Sequence, residues 1–162
     1  MNTIQVLDIM PGTTVDGPGL RTSIYVAGCR HMCKGCHNPQ SWDFNSGIPM
    51  TVDEIMERIT EEDFNVTLTG GDPLWQASKI LPLAKSIKEK GYTLWCYTGF
   101  TWEEILKSTE LSKILPWIDV IVDGRFIEEL RDTRLRFRGS SNQRIIDVQA
   151  SLTKKELVIH IH

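Results

Sequence analysis

The stretch Thr22-Ser23-Ile24-Tyr25-Val26-Ala27-Gly28-Cys29-Arg30-His31-Met32-Cys33-Lys34-Gly35-Cys36-His37 decides how this chain is read. Its first six residues are β-branched, aromatic or small, the composition of a short buried strand. The strand runs directly into a loop that carries three of the four cysteines of the sequence. A strand that delivers a reactive loop at its C-terminal end is the arrangement of α/β proteins, whose ligands gather at strand C-termini.

Working outward, strand-like and helix-like segments alternate. Residues 3–9 alternate weakly. Residues 51–59 form a helix with a capping box, Thr51 facing Glu54. Residues 65–69 form a buried strand ending at Gly70-Gly71-Asp72-Pro73. A helix over 76–90 closes at Gly91, and Pro82 inside it is expected to kink it or to start its second half. Strands are predicted at 92–97 and 119–122, with a helix between them that starts at Thr101 and uses Glu104 as box partner. A short helix at 126–130, a strand at 144–148 and a weaker one at 157–161 complete the pattern. Strands alternating with helices imply βα units and a mainly parallel sheet. The 162 residues are too few for an eight-fold barrel of about 200 residues or more. The expected fold class is α/β, an incomplete, splayed (βα) barrel of about six mainly parallel strands, with residues 1–162 as a single domain.

Cysteines spaced as Cys29, Cys33 and Cys36 can wrap one face of an iron–sulfur cube, because thiolate is the soft ligand such clusters prefer. Three ligands for four irons leave one iron open, where an amino acid's amine and carboxylate can chelate. The alternative is zinc, with His37 or His31 as the fourth ligand. Adjacent Cys36 and His37 reach one tetrahedral ion with difficulty, which favours the cluster. Cys96 falls inside a predicted strand and reads as a buried structural cysteine; as a fourth ligand it would close the open iron.

Bulk properties agree with a folded domain. Hydrophobic residues make up 41% and charged residues 24% of the chain, with a formal net charge of −3, which gives no whole-protein attraction to nucleic acid or anionic membrane. No apolar run approaches the ~20 residues of a membrane span, and the N-terminus lacks the pattern of a signal peptide. The expected location is the cytoplasm, where cysteines serve metals or catalysis rather than disulfides. The one basic stretch, residues 131–144, holds five arginines. It reads either as a solvated face or as a docking patch.

The Cys-x3-Cys-x2-Cys spacing resembles the signature of the radical S-adenosylmethionine (SAM) superfamily. The opening Val15-Asp16-Gly17-Pro18-Gly19-Leu20-Arg21-Thr22, then Gly28-Cys29-Arg30-His31, resembles the activating enzymes of glycyl-radical proteins. Asn38-Pro39, Asp119 to Phe126, Phe137 to Ile146 and Asp147-Val148-Gln149 are similar to one branch, the activating proteins of anaerobic ribonucleoside-triphosphate reductase. The resemblance spans residues 9–152. It implies a radical SAM (βα) barrel with a 4Fe-4S cluster on Cys29, Cys33 and Cys36, and SAM chelating the open iron.

The same resemblance assigns further residues to the cofactor. Gly70, Gly71 and Asp72 stand where the family has Gly-Gly-Glu, which receives the SAM amine; a backbone carbonyl meets an ammonium best where no Cβ intervenes. Gly35, Cys36 and His37 stand where the family borders the adenine, with Gly35 replacing a common aromatic residue. Asp123 and Arg125 resemble an Asp-x-Lys element that holds the SAM methionine. Arginine keeps the charge of lysine but changes the hydrogen-bond geometry. The implied partners are the anaerobic reductase, as protein substrate, and an electron donor such as flavodoxin or ferredoxin, with no nucleic acid and no membrane. The alternatives are an activase of another glycyl-radical enzyme or a short small-molecule radical SAM enzyme such as a deazaguanine synthase.

Overall fold

Local sequence sets the helix starts. Thr51 and Thr101 each accept from the amide three residues on, and Glu54 and Glu104 reach back to the capping residue's own amide, so both capping boxes form. The computed structural model describes residues 2–36 and 39–161. In chain order its elements are β1 (Thr3–Thr13), β2 (Arg21–Val26), β3 (Ile48–Thr51), α1 (Val52–Glu62), β4 (Asn65–Gly70), α2 (Ala77–Glu89), β5 (Leu94–Tyr97), α3 (Trp102–Lys107), α4 (Thr109–Ser112), β6 (Val120–Asp123), β7 (Arg144–Asp147) and α5 (Val148–Lys154).

All seven strands join one sheet in the order β3-β1-β2-β4-β5-β6-β7. The central four, β2, β4, β5 and β6, are parallel. The outer strands are antiparallel: β1 to both β2 and β3, and β7 to β6. The parallel core is the one the βα alternation predicts. The seventh strand, β3, has no counterpart in that pattern, and the 157–161 segment contributes only a bridge between Ile159 and Ile146. The segment 126–130 narrows to a 3-10 turn, Glu128–Leu130.

Strand alternation sorts the sheet into two unlike faces. Ile24, Leu68, Cys96, Ile121 and Ile146 stand opposite one another in register across five strands. They belong to one buried cluster with Ile55 and Ile59 of α1, Ile80, Leu83 and Ile87 of α2, Ile105 of α3 and Val148 of α5. The other face carries Trp95, Val120, Val122 and Ile145, packed by Tyr97 and Phe137. Helices therefore cover one face, while irregular segments cover the other. Cys96 sits fully buried in the aliphatic row, and burial pushes its thiol well above the usual range.

Pro82 lies within α2, which runs unbroken rather than restarting there. Its ring withholds only the amide that would have bonded one turn back. The helix closes with Tyr92 N–H on Ile87 O and Gly91 N–H on Lys88 O, the paired bonds of a Schellman motif. Among the described residues no helix is long and apolar enough to cross a membrane.

Candidate cofactor site at the strand C-termini

The cysteine loop leaves β2 stitched to its neighbours. Ala27 N–H donates to Gln5 O, Gly28 N–H to Ser41 O and Cys29 N–H to Trp42 O, at 2.9, 2.7 and 3.2 Å. Met32 then takes a left-handed φ of 51°, and Cys36 N–H closes a turn on Cys33 O at 3.1 Å. Cys29, Cys33 and Cys36 are all half-buried. Burial pushes the Cys29 thiol up to about 11, against backbone amides of His31 and Met32 that favour the thiolate. Burial raises Cys33 as well, opposed by the Phe126 amide and the Arg125 charge. Loading these thiols with metal therefore expels protons, with the metal's charge replacing them.

Cys29 senses Cys33, and Cys33 senses Cys36, as adjoining groups. Yet among the described residues no three His, Cys, Asp or Glu side chains converge on a single ion. A cube takes each thiolate on a different iron, and three half-buried thiols in one loop suit it. The donor set thus fits the cluster. His37, the expected adenine neighbour, and Asn38 lie outside the described residues.

Two cavities flank the loop. One, of about 530 Å³, is lined by Cys33, Asp123, Arg125, Phe126, Asn142 and Arg144. The other, of about 600 Å³, takes in Asp16, Cys36, Tyr97, Arg136, Phe137 and Gln143. Within the second, Tyr97 Oη is buried and finds no partner among the described residues. An orphaned hydroxyl beside Cys36 suits a polar ligand, since a buried polar group without a partner is costly. Gly35 lies at the loop's outer turn with φ 76°, close to the Glu128 side chain.

Gly70-Gly71-Asp72 ends β4 beneath the cysteine loop. Gly71 N–H donates to Val26 O at 2.7 Å and Asp72 N–H to Gly28 O at 2.8 Å. A Cβ on Gly71 would stand 2.6 Å from Gly28 O, and one on Gly70 would overlap the Val26 backbone. These glycines thus answer first to the neighbouring backbone. Asp72 is 1% exposed. Its Oδ2 accepts from Thr98 Oγ1, Gly99 N–H and His31 Nε2, and its Oδ1 accepts from Leu74 N–H.

At the end of β6, Asp123 is equally buried. It accepts from Trp102 N–H at 2.8 Å and from Arg144 Nη2 at 2.6 Å, with further bonds from Arg144 N–H and Nε. Arg144 also reaches Glu103 at 2.9 Å. These bonds, that to Asp123 foremost, raise the guanidinium's pKa above its ordinary value. Among the described residues the Arg125 guanidinium pairs with Glu104, exposed, at 3.3 Å, which leaves it available to an anion, since such pairs are weak.

Several anchoring residues had no sequence signal of their own. Asp16 accepts from Ser23 Oγ and Tyr25 Oη, both at 2.9 Å. Arg21, 2% exposed, bonds Thr67 Oγ1 and the carbonyls of Val66 and Thr93, tying β2 across β4 toward β5. Both lie in the Val15–Thr22 block, whose residue types point to the family but not to these bonds.

A four-stranded parallel core with three thiols in one strand-end loop describes a cluster-binding α/β protein. In agreement, a family described as a 4Fe-4S single cluster domain matches residues 15–146. Relatives named anaerobic ribonucleoside-triphosphate reductase-activating protein are 40% identical in Pasteurella multocida, covering 88% of this chain and 95% of that one. They are 36% identical in Haemophilus influenzae, covering 85% and 94%. In Escherichia coli the identity is 36%, with coverage of 82% and 92%. The chain belongs to the anaerobic ribonucleoside-triphosphate reductase-activating protein family. Among solved structures, QueE from Escherichia coli shares the fold, with a TM-score of 0.52 at 16% identity over 61% of this chain and 54% of that one. Cys29, Cys33 and Cys36 are consistent with the 4Fe-4S cluster of the matching family.

Proposed function

We propose that this protein activates anaerobic ribonucleoside-triphosphate reductase by generating a glycyl radical on it, as a single radical SAM domain over residues 1–162. The observation that carries this reading is near-complete coverage of relatives bearing that name, together with the Cys-x3-Cys-x2-Cys loop between two cavities. Cys29, Cys33 and Cys36 would hold a 4Fe-4S cluster that, once reduced, would give one electron to the sulfonium of bound SAM, with release of methionine, and so supply the radical chemistry that removes a hydrogen from a glycine Cα. Residues of the chain bind, orient and shield; none need act as a general acid or base.

In this reading Cys29, Cys33 and Cys36 hold three irons and leave the fourth to SAM. Backbone at Gly70 and Gly71 meets the SAM ammonium, because the Asp72 carboxylate is occupied internally. Arg125, lining the cavity at Cys33, faces the SAM carboxylate, and Asp123 acts by fixing Arg144 and the rim rather than by contact. Gly35, Cys36 and His37 border the adenine. The sheet is taken as an incomplete, splayed barrel; helices on one face and cavities among irregular segments on the other support this. The setting is the cytoplasm, with a flavodoxin or ferredoxin as electron donor and neither nucleic acid nor membrane as partner.

The test is to mix anaerobically reconstituted protein, SAM, reductant and the reductase, and to record electron paramagnetic resonance. A glycyl doublet that requires all components is expected. SAM cleavage without any glycyl signal would overturn the choice of partner.

A further inference from the structure

Between Cys29 and Cys33, Arg30 lies over the Phe44 and Trp75 rings at 5.1 and 5.9 Å, and His31 is both hydrogen-bonded and ring-packed by the rest of the fold. Although it sits in a loop, its side chain is 3% exposed. Its Nε2 lies 2.7 Å from Asp72 Oδ2. The ring is edge-on to Phe100 with centroids 4.7 Å apart, and tilted to Trp75 at 5.4 Å. The Gly99 backbone presses against it so closely that a Cβ there would overlap the ring.

Asp72 is itself held by Leu74 N–H at 3.0 Å, Thr98 Oγ1 at 3.0 Å and Gly99 N–H at 2.8 Å. A carboxylate oxygen only accepts, so His31 presents its hydrogen from Nε2, and that nitrogen is closed to a metal. The residue after it, Met32, has a positive φ, a conformation that a residue with a side chain holds only when its surroundings enforce it.

We infer that His31, held by Asp72, is a positioning residue for the cluster. It pins the arc between Cys29 and Cys33 so that the two thiolates are pre-spaced before iron arrives. The Gly-Gly-Asp turn then serves the cysteine loop through its side chain as well as the cofactor through its backbone. This rests on the cluster reading proposed above.

The experiment uses the full chain, reconstituted anaerobically with iron and sulfide, in wild-type, His31→Phe and His31→Gln forms. Phenylalanine keeps the packing against Phe100 and Trp75 but removes the donor, whereas glutamine restores a donor. Iron loss to a chelator and the line shape of the reduced cluster's paramagnetic signal are followed, with thermal unfolding of the iron-free protein as control. Losing a charge-assisted hydrogen bond predicts roughly tenfold faster iron loss in His31→Phe and a broadened signal. Substantial recovery is expected in His31→Gln, with both variants folded. Wild-type retention in His31→Phe would overturn the Asp72 hold, as would equal failure of both variants with unchanged unfolding. A wild-type protein that takes up no iron would overturn the cluster reading and this inference together.

Discussion

Two buried aspartates end two parallel strands of one sheet, and they do different work. Asp72 just beyond β4 and Asp123 at the last position of β6 are each 1% exposed and hold several hydrogen bonds. Both grip the turn that follows β5: Asp72 takes Thr98 Oγ1 and Gly99 N–H, and Asp123 takes Trp102 N–H. Their remaining partners separate them. Asp72 reaches into the cysteine loop through His31, whereas Asp123 reaches Arg144 at the start of β7. The β4 rim aspartate therefore reaches the cysteine loop, and the β6 rim aspartate reaches the fold's own closing strand. Residue type and strand-end position are alike, so the partner alone sets the role.

Iron retention should respond to the β4 rim, and stability to the β6 rim. The largest effect sets the scale. Cys29→Ala, Cys33→Ala or Cys36→Ala should each abolish a stable cluster, measured as iron and sulfide per chain. Cys96→Ala should keep the cluster and cost about 1 kcal/mol of stability, the order of one buried methylene-sized group.

A methyl group tests the two rims next. Gly71→Ala drives a Cβ into Gly28 at the head of the cysteine loop, so iron content should fall several-fold. Gly124, after Asp123, has φ 92° and no atom nearer than 3.6 Å to such a Cβ. Gly124→Ala should therefore cost only backbone strain, about 1–2 kcal/mol in denaturant unfolding, with iron unchanged. Equal iron loss in the two variants would erase the distinction between the rims.

Removing the second carboxylate sharpens it. Breaking a buried ion pair costs about 3–5 kcal/mol, but Arg144 is one-third exposed and keeps Glu103, which lowers the expectation for Asp123→Ala to about 2 kcal/mol. Iron retention should stay near wild type, as measured by chelator challenge.

The smallest effect lies on the arginine segment. Arg138 Nη1 bonds Gln143 O at 2.8 Å, and Arg134 pairs with Asp132 at 3.0 Å. Arg136 lies over the Phe137 ring at 4.8 Å and lines the cavity at Cys36. Arg136→Ala should lower glycyl-radical yield a few-fold while sparing uncoupled SAM cleavage. The difference should shrink as salt rises, since exposed charges are screened within about 8 Å at physiological ionic strength. Equal loss of both activities would place Arg136 within the cofactor site.

What the sequence determined by itself was whatever depends on near neighbours. The Thr51–Glu54 and Thr101–Glu104 boxes are three-residue relations, and both form as read. The parallel strands announce themselves by apolar runs between helices, and the cysteine spacing names its ligand chemistry within eight residues. Pairing direction and side-chain partners were decided only by the tertiary structure. The segment 124–143 has no crossover helix to carry the chain back, so β7 returns antiparallel to β6. Ile48 on β3 is 69% exposed, so that edge strand shows no buried period to read. Asp72 and His31 stand 41 positions apart, and Asp123 and Arg144 stand 21 apart. A carboxylate's partner at such distances depends on which loops the sheet order brings together, and no local pattern encodes it.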